Sequence, residues 1–312
     1  MKNNQVFVYG EIAIDNIIRV PHAVDREKNT FVLEDIYLIG GMASNVAALL
    51  ALWEIPVAVL GYPLGDDEYG RKLTAMLKKF PYLDLEFLPV VSGIQTGLCR
   101  IIVPPNGDRY ILAYNSVERE AQLTPVKADM LAGASHFVVD CLAVKEPYLS
   151  AAKLAHDEGL CVVASDVNTL DSMLIPYADV ICNSAGLLNN LNGISDPLPF
   201  SRELHQLNKA VVITTDGPRA VHVIDVDGSE FWALPAKLDD AQVVDTTGAG
   251  DALKAGVTYG LIKGLPLRDV VRYGMGTGSL IIQAIGAVAR EPSVAEVLAC
   301  AQMVHVSDSP IK

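Results

Sequence analysis

Two hydrophobic rhythms alternate along the chain. Short unbroken runs rich in β-branched residues, "QVFVYG" (5–10), "VAVLG" (57–61), "HFVVD" (136–140), "LCVVASD" (160–166), "DVICN" (179–183) and "AVVITT" (210–215), have the length and composition of strands buried on both faces. Between them lie segments of helical character: "SNVAALLALWE" after a Gly-Gly pair, "EYGRKLTAMLKKF" and "PYLSAAKLAHDEG". This alternation predicts an α/β fold in three layers, with a mainly parallel central sheet between two layers of helices.

Two segments leave that rhythm. Residues 12–39 hold strand-like pieces around a polar interruption, "HAVDREKNT", and residues 93–116 hold two β runs joined by "PPNGD", a hairpin signature. Neither is followed by a helix of its own. Together they predict a small antiparallel sheet projecting from the main one as a lid. Repeats, low-complexity tracts and linkers are missing from the sequence, so residues 1–312 read as a single domain, with the last ten residues expected to fray.

Charge narrows the partners. The net charge is -13, which opposes binding to nucleic acid or an anionic membrane. An anionic ligand would need local positive potential from helix ends, backbone N–H groups or a bound cation. Cys99, Cys141, Cys161, Cys182 and Cys300 are widely spread without a C-x-x-C pair, the pattern of core thiols in a reducing compartment. The start reads directly into a strand without a signal peptide. The apolar stretches 43–61 and 273–289 are interrupted by polar residues and read as buried helices, and a soluble cytoplasmic protein is expected.

The densest chemistry lies in "VVDTTGAGDALKAG" (243–256). After strand-like "AQVVD", Gly248, Ala249 and Gly250 permit backbone conformations closed to larger side chains. Successive N–H groups at such a turn, continued by a helix N-terminus, form a cradle for developing negative charge. Asp251 at the mouth of that cradle fits two roles. One is a helix cap worth about 1 kcal/mol; the other is a general base beside an anion hole. The adjoining Asp245-Thr246-Thr247 exceeds what a cap requires and favours the second. In "GGMASNVA" (40–47), Gly40 and Gly41 allow a ligand close to backbone and Asn45 falls early on an apolar helix, although a plain turn with a satisfied amide fits equally. Asp15 in "GEIAIDNI" suits either a polyol ligand or an exposed edge strand.

Taken in order, the early Asp, Gly-Gly-x-x-x-Asn and D-T-T-G-A-G-D resemble the ribokinase-type (PfkB) carbohydrate kinases, over nearly the whole chain. The resemblance implies a ribokinase-like fold whose lid is the pair of β excursions, and ATP-dependent phosphoryl transfer to a hydroxyl of a small sugar. It makes Asp251 the catalytic base and Gly248, Ala249 and Gly250 the anion hole. Asp15, Gly40, Gly41 and Asn45 become binders of the acceptor's hydroxyls, and Asn183, Thr215 and Gly217 positions of the nucleotide site. Asp245 and the backbone at Thr247 match part of a monovalent cation site. ATP, Mg²⁺ and, for many members, K⁺ are the implied cofactors. Phosphoryl transfer needs mainly alignment and charge neutralisation, which suits this constellation.

Departures from the family pattern are specific. Asn-x-x-Glu after the fifth strand-like run is Asn183-Ser184-Ala185-Gly186 here, so the Glu that helps organise Mg²⁺ is missing. Asp166 and Asn168 keep an Asp-x-Asn, with Leu170 where Arg is common; Ala220 replaces a nucleotide-loop glycine, and Met275 a small or polar residue. The acceptor stays open between a sugar and a nucleoside. Tyr110 and Tyr114 fit base stacking, cross-strand packing or a lid-to-lid homodimer contact, and Arg100 and Arg109 fit a sugar phosphate or a solvated strand. A catalytically silent ligand-binding relative is the alternative from another class. A dinucleotide-binding dehydrogenase is excluded, because "GEIAID" follows the first strand instead of G-x-G-x-x-G.

Overall fold

The computed structural model describes residues 5–25, 28–105, 110–114, 117–140, 146–239 and 242–311. Arg109, Cys141 and the Asn106-Gly107-Asp108 centre of the expected hairpin turn lie outside them. The chain opens with β1 (Val6–Gly10), buried throughout, and leaves the main sheet for β2 (Ala13–Arg19) and β3 (Glu34–Gly40). Gly41 (φ 84) then starts α1 (Met42–Leu52), which is buried on nearly every side. β4 (Val57–Gly61), β5 (Leu64–Gly65), α2 (Glu68–Leu77), β6 (Leu83–Asp84) and β7 (Val90–Val91) follow. Asp67 caps α2 by accepting from the Gly70 N–H at 2.7 Å.

β8 (Gly97–Val103), β9 (Tyr110–Tyr114) and α3 (Val117–Glu120) form the second excursion. The regular alternation resumes with β10 (His136–Asp140), α4 (Glu146–Asp157), β11 (Cys161–Ser165), β12 (Val180–Ser184), α5 (Ala185–Asn192), α6 (Pro197–Asn208) and β13 (Val211–Thr215). Two further strands, β14 (Val221–Ile224) and β15 (Glu230–Leu234), precede α7 (Ala249–Ile262), α8 (Leu267–Ile281), α9 (Val294–Gln302) and β16 (His305–Ser307).

Among the described residues the main sheet has the order β16-β15-β14-β13-β12-β11-β10-β1-β4-β6. The run from β13 to β6 is parallel, and β14, β15 and β16 extend it antiparallel. β1 shows how both faces are used. Val6 and Val8 pack into one apolar core with α1, α7 and α8, while Phe7 and Tyr9 enter a second core with α4 and α6. The three-layer α/β architecture expected from the hydrophobic runs is present.

Three local expectations are corrected. The final ten residues include β16, which pairs with β15, so the chain end is tied into the sheet edge. "AQVVD" is not a strand over its described part: Val244 and Asp245 donate their N–H groups to the Ile282 carbonyl at the end of α8, and Val243 and Val244 are exposed. The apolar stretch 273–289 is helix only as far as Ile281; beyond it the chain turns through Gly286 (φ 91).

A four-stranded sheet, β3-β2-β8-β9, stands apart from the main one and combines both excursions as expected. Its outer pairs are antiparallel, whereas β2 and β8 run parallel. Long intervening chain allows this: a hairpin enforces antiparallel pairing, but β2 and β8 are joined through β3 to β7 with α1 and α2. Among the described residues, no helix is long and apolar enough to cross a membrane.

Candidate active site

Parallel strands deliver their carboxyl ends to one edge of the sheet, where α/β folds place ligands. Gly10, Asp140, Ser165, Asn183 and Thr215 close or end β1, β10, β11, β12 and β13 there. Nearby, the motif loop turns into α7. Gly248 caps that helix with φ 77, and an added Cβ would overlap Ala287. Glycine is required at this position by both conformation and space. Ala249 and Gly250 are already helical, contrary to the expectation of a turn through all three residues. Gly250 is exposed, and a Cβ there would meet nothing within 4 Å. Open space therefore adjoins the first turn of α7, the end at which N–H groups and the helix dipole favour an anion.

Asp251 does not cap the helix: Gly248 holds that place, and no side chain caps it. Instead Asp251 accepts two contacts from distant and local donors. Asn45 Nδ2 of α1 lies 2.8 Å from its Oδ2, and Lys254 Nζ, one turn along α7, lies 3.4 Å from its Oδ1. The Gly-Gly-x-x-x-Asn segment and the late motif thus converge, and the amide of Asn45 is satisfied on its nitrogen side by the proposed base. Asn45 Oδ1 is buried without a protein partner, an acceptor available to a ligand hydroxyl.

Asp15 is buried within β2, so the exposed edge-strand alternative falls away. Its carboxylate occupies the space a Cβ on Gly40 would need, which explains the first glycine of the pair. The second, Gly41, has φ 84 and lies against the Glu11 backbone. Burial, then the negative charges of Asp251, Asp245 and Glu11, push the Asp15 carboxyl up to about 7. Asp245 serves the loop: its Oδ1 accepts from the Thr247 N–H at 2.9 Å and hydroxyl at 2.7 Å, and its Oδ2 from the Gly286 N–H at 2.9 Å. Three donors engage this carboxylate.

Asn183 is buried at the end of β12; its Nδ2 donates to the Val167 carbonyl at 2.9 Å, while its Oδ1 has no protein partner. The Thr215 hydroxyl donates to the Asn183 carbonyl at 3.3 Å, which locks the ends of β12 and β13 together. Gly217 (φ 57) turns the chain away over open space. Ala220 is not among the residues with positive φ, so the loss of a glycine there is conformationally silent. Gly186 is exposed in the first turn of α5, with room for a side chain. Met275 is a core residue of α8.

Sequence reasoning overlooked two basic residues. Lys254 is buried and also bonds Asp166 Oδ2 at 3.0 Å. Arg119 is buried too: it pairs with Glu11 at 2.5 Å, donates to the Pro63 carbonyl at 3.0 Å and to the Ile12 carbonyl, and lies over the Tyr62 ring. Arg119 thereby pins the chain leaving the lid to the turn between β1 and β2. A signal for Lys254 existed, since a lone lysine three residues after the acid, among small and apolar neighbours in "DALKAG", belongs to a buried helix face.

Residues 3–294 match the pfkB family carbohydrate kinase family. Among curated proteins, the chain is 24% identical to ribokinase of Schizosaccharomyces pombe, covering 83% of this chain and 85% of that one. It is 27% identical to pseudouridine kinase of Escherichia coli, covering 78% and 79%. A crystal structure of a putative ribokinase from Agrobacterium tumefaciens shares the fold with a TM-score of 0.82 at 21% identity, covering 95% of this chain and 97% of that one. With the motif residues converging at the carboxyl edge of the sheet and a family match across nearly the whole length, the chain belongs to the pfkB family of carbohydrate kinases.

Proposed function

We propose that the protein transfers the γ-phosphoryl group of ATP to a hydroxyl of a small sugar or sugar-bearing acceptor, with Asp251 as base. The observation that carries this reading is the placement of Asp251: it has no capping duty, it is oriented by Asn45 and Lys254, and open space adjoins the helix start one residue before it. The acceptor's O–H bond breaks as its proton passes to the Asp251 carboxylate. The electron pair left on oxygen forms the new O–P bond, and the bond from phosphorus to the bridging oxygen breaks with its pair leaving on ADP. The N–H groups at the start of α7 stabilise the negative charge of the transferring group. Asp15 and the free acceptor atom of Asn45 orient the hydroxyls.

Asn183 Oδ1, Thr215 and the Gly217 turn fit the nucleotide side: one buried orphan acceptor and two strand ends lie at the same sheet edge. Mg²⁺ would supply charge neutralisation on the phosphates. Among the described residues no group of three His, Cys, Asp or Glu side chains can hold a metal, and Gly186 replaces the expected acid. Carriage by phosphate oxygens and water, the usual habit of this ion, fits that donor set.

A nucleoside acceptor is favoured over a sugar phosphate by the register of the lid. Cα partners in a sheet share a face. The Asp15 face carries Leu38 and Cys99 beside it, then Ile17, Ile101, Ile111 and Ala113. Its other charged residues, Arg19 and Glu34, neutralise each other at the far end of β2 and β3. Arg100, Tyr110 and Tyr114 fall on the opposite face, where Arg100 stacks over Tyr114. Asp15 therefore has apolar neighbours suited to the flat side of a sugar or base, and the buried cation near this face, Arg119, is already paired with Glu11.

The deciding experiment is a pooled assay of the protein with Mg-ATP and K⁺ against free sugars, sugar phosphates and ribonucleosides, read by phosphoryl mass gain. A single product that vanishes in Asp251→Asn is expected. No product from any acceptor, with ATP still bound, would replace this reading with that of a silent binding relative.

A further inference from the structure

α7 is buried and apolar along the turn that follows Asp251, except for Lys254. An isolated ammonium is disfavoured in such a place, and burial pushes its pKa down. Asp166 foremost, then Asp251 and Asp140, outweigh that push and hold Lys254 charged, above its ordinary value. The shorter contact, 3.0 Å, goes to Asp166, and the longer, 3.4 Å, to Asp251. Asp166 follows β11 directly and has φ 60, a conformation that L side chains rarely adopt; its N–H donates to the Cys182 carbonyl of β12 at 2.9 Å. A strained aspartate is thus held at the sheet edge with its carboxylate on a buried ammonium whose second partner is the base.

We propose that Lys254 is a positioning residue for phosphoryl transfer: it orients Asp251 through Oδ1, sets an opposite charge beside that carboxylate, and ties it through Asp166 to the end of β11. This rests on the reading of Asp251 as base. The groups that bear on Asp251 are Asn45 from α1, Asp15 from β2 and Lys254 from its own helix; Asp245, from the loop before α7, bears on Asp15. Those that bear on Lys254 are Asp166, Asp140 at the end of β10 and the buried Cys182 thiol of β12. Glu11, the further acid bearing on Asp15, is itself paired with Arg119. Two partners on one ammonium have a chemical consequence. When Asp251 takes up the acceptor's proton its charge is lost, yet Lys254 remains paired with Asp166. The cation never stands alone in the core and has no need to move during turnover.

The test is a titration of aspartate side-chain carbons by ¹³C NMR in the ligand-free full chain, with the Asp251 signal identified by its loss in Asp251→Asn. In Lys254→Met the Asp251 midpoint should rise by about 1 to 3 pH units, the effect of removing an opposite charge at this range. In Lys254→Arg it should stay within about 0.5 unit of wild type, on the same ground that charge and not shape sets it. Should Lys254→Met fail to fold, Asp166→Asn answers the same question with opposite sign, because the ammonium then serves Asp251 alone and the midpoint falls. An unmoved midpoint in the folded Met variant, an Arg variant that titrates like the Met one, or an unmoved or raised midpoint in Asp166→Asn would overturn the proposal. Turnover on the acceptor returned by the pooled assay separates this from the base assignment. Asp251→Asn retaining activity removes the base, whereas an inactive Asp251→Asn beside a Lys254→Met with wild-type kcat and acid limb removes only Lys254. The expected pattern is an acid limb displaced upward in Lys254→Met by the same about 1 to 3 pH units, so that kcat falls below wild type progressively on the acid side, with an acceptor KM within a few-fold of wild type.

Discussion

At the scale of single residues, the site is a contest between carboxylates that need charge and a buried setting that opposes it. Asp15 shows the contest most plainly. In the unfolded chain its carboxyl ionises near the ordinary 3.8, whereas in the folded protein it holds its proton up to about 7. That proton stabilises the fold fully below the unfolded value, and the contribution is lost as pH rises through the folded one. The ligand-free protein should therefore lose stability between about pH 4 and pH 7 relative to Asp15→Asn, by up to a few kcal/mol. Thermal melts of both proteins at pH 5 and pH 8 check it: the variant should gain on wild type at the higher pH, and a constant difference would refute the assignment. Asp251→Asn should leave the melting temperature and ATP affinity nearly intact while turnover falls by about 10²-fold or more. Calorimetric ATP titration beside steady-state kinetics checks both halves, and turnover within a few-fold of wild type would exclude Asp251 as base.

At the scale of elements, the start of α7 divides its glycines by task. Gly248 is a conformational requirement, with φ 77 and Ala287 against it, while Gly250 lies in ordinary helix facing open space. Gly248→Ala should cost stability, with the melting temperature down by at least about 2 °C. Gly250→Val should keep the melting temperature within about 2 °C but lower kcat at least tenfold, by filling the space where the phosphoryl group would lie. A normal kcat in a folded Gly250→Val would remove the anion hole from this turn. α5 offers a complementary gain of function. A Cβ added at Gly186 meets only Ser184 Oγ, at 3.7 Å, so Gly186→Glu starts from an unstrained backbone position. Turnover should then saturate at lower Mg²⁺, and an unchanged Mg²⁺ titration would mean that another group already does this work.

At the scale of the whole molecule, the lid carries an exposed outer strand. All five residues of β9 are exposed, among them Tyr110, Ile111, Leu112 and Tyr114, and β9 is the outer strand of its sheet among the described residues. Apolar edge strands favour pairing with a further chain. Pairing of two copies through this edge is the prediction to check. Light scattering should return twice the mass of 33.5 kDa for wild type and a monomer for Leu112→Glu. A monomeric wild type at micromolar concentration would exclude it.

Much of this molecule was legible in its amino acids, and the boundary of legibility has a physical shape. β-branched runs and helical spacing specified the strands and helices of the three-layer body, because these patterns express local periodicity and burial on both faces. D-T-T-G-A-G-D and Gly-Gly-x-x-x-Asn marked the site, because a left-handed Gly248 and a glycine pressed against Asp15 leave little choice of residue. Long-range pairing was out of reach. That β2 runs parallel to β8, that β16 anchors the chain end, and that Val244 and Asp245 bond the end of α8 instead of a strand depend on which segments become neighbours. The same limit hid the electrostatics. Asn45 and Asp251 are 206 positions apart, and Lys254 and Asp166 are 88 apart. Sequence alone determined which groups exist; only the tertiary structure decided which are buried together. Whether a buried charge is tolerated depends on a partner at hydrogen-bond distance, and that distance is set by packing between elements far apart in the chain.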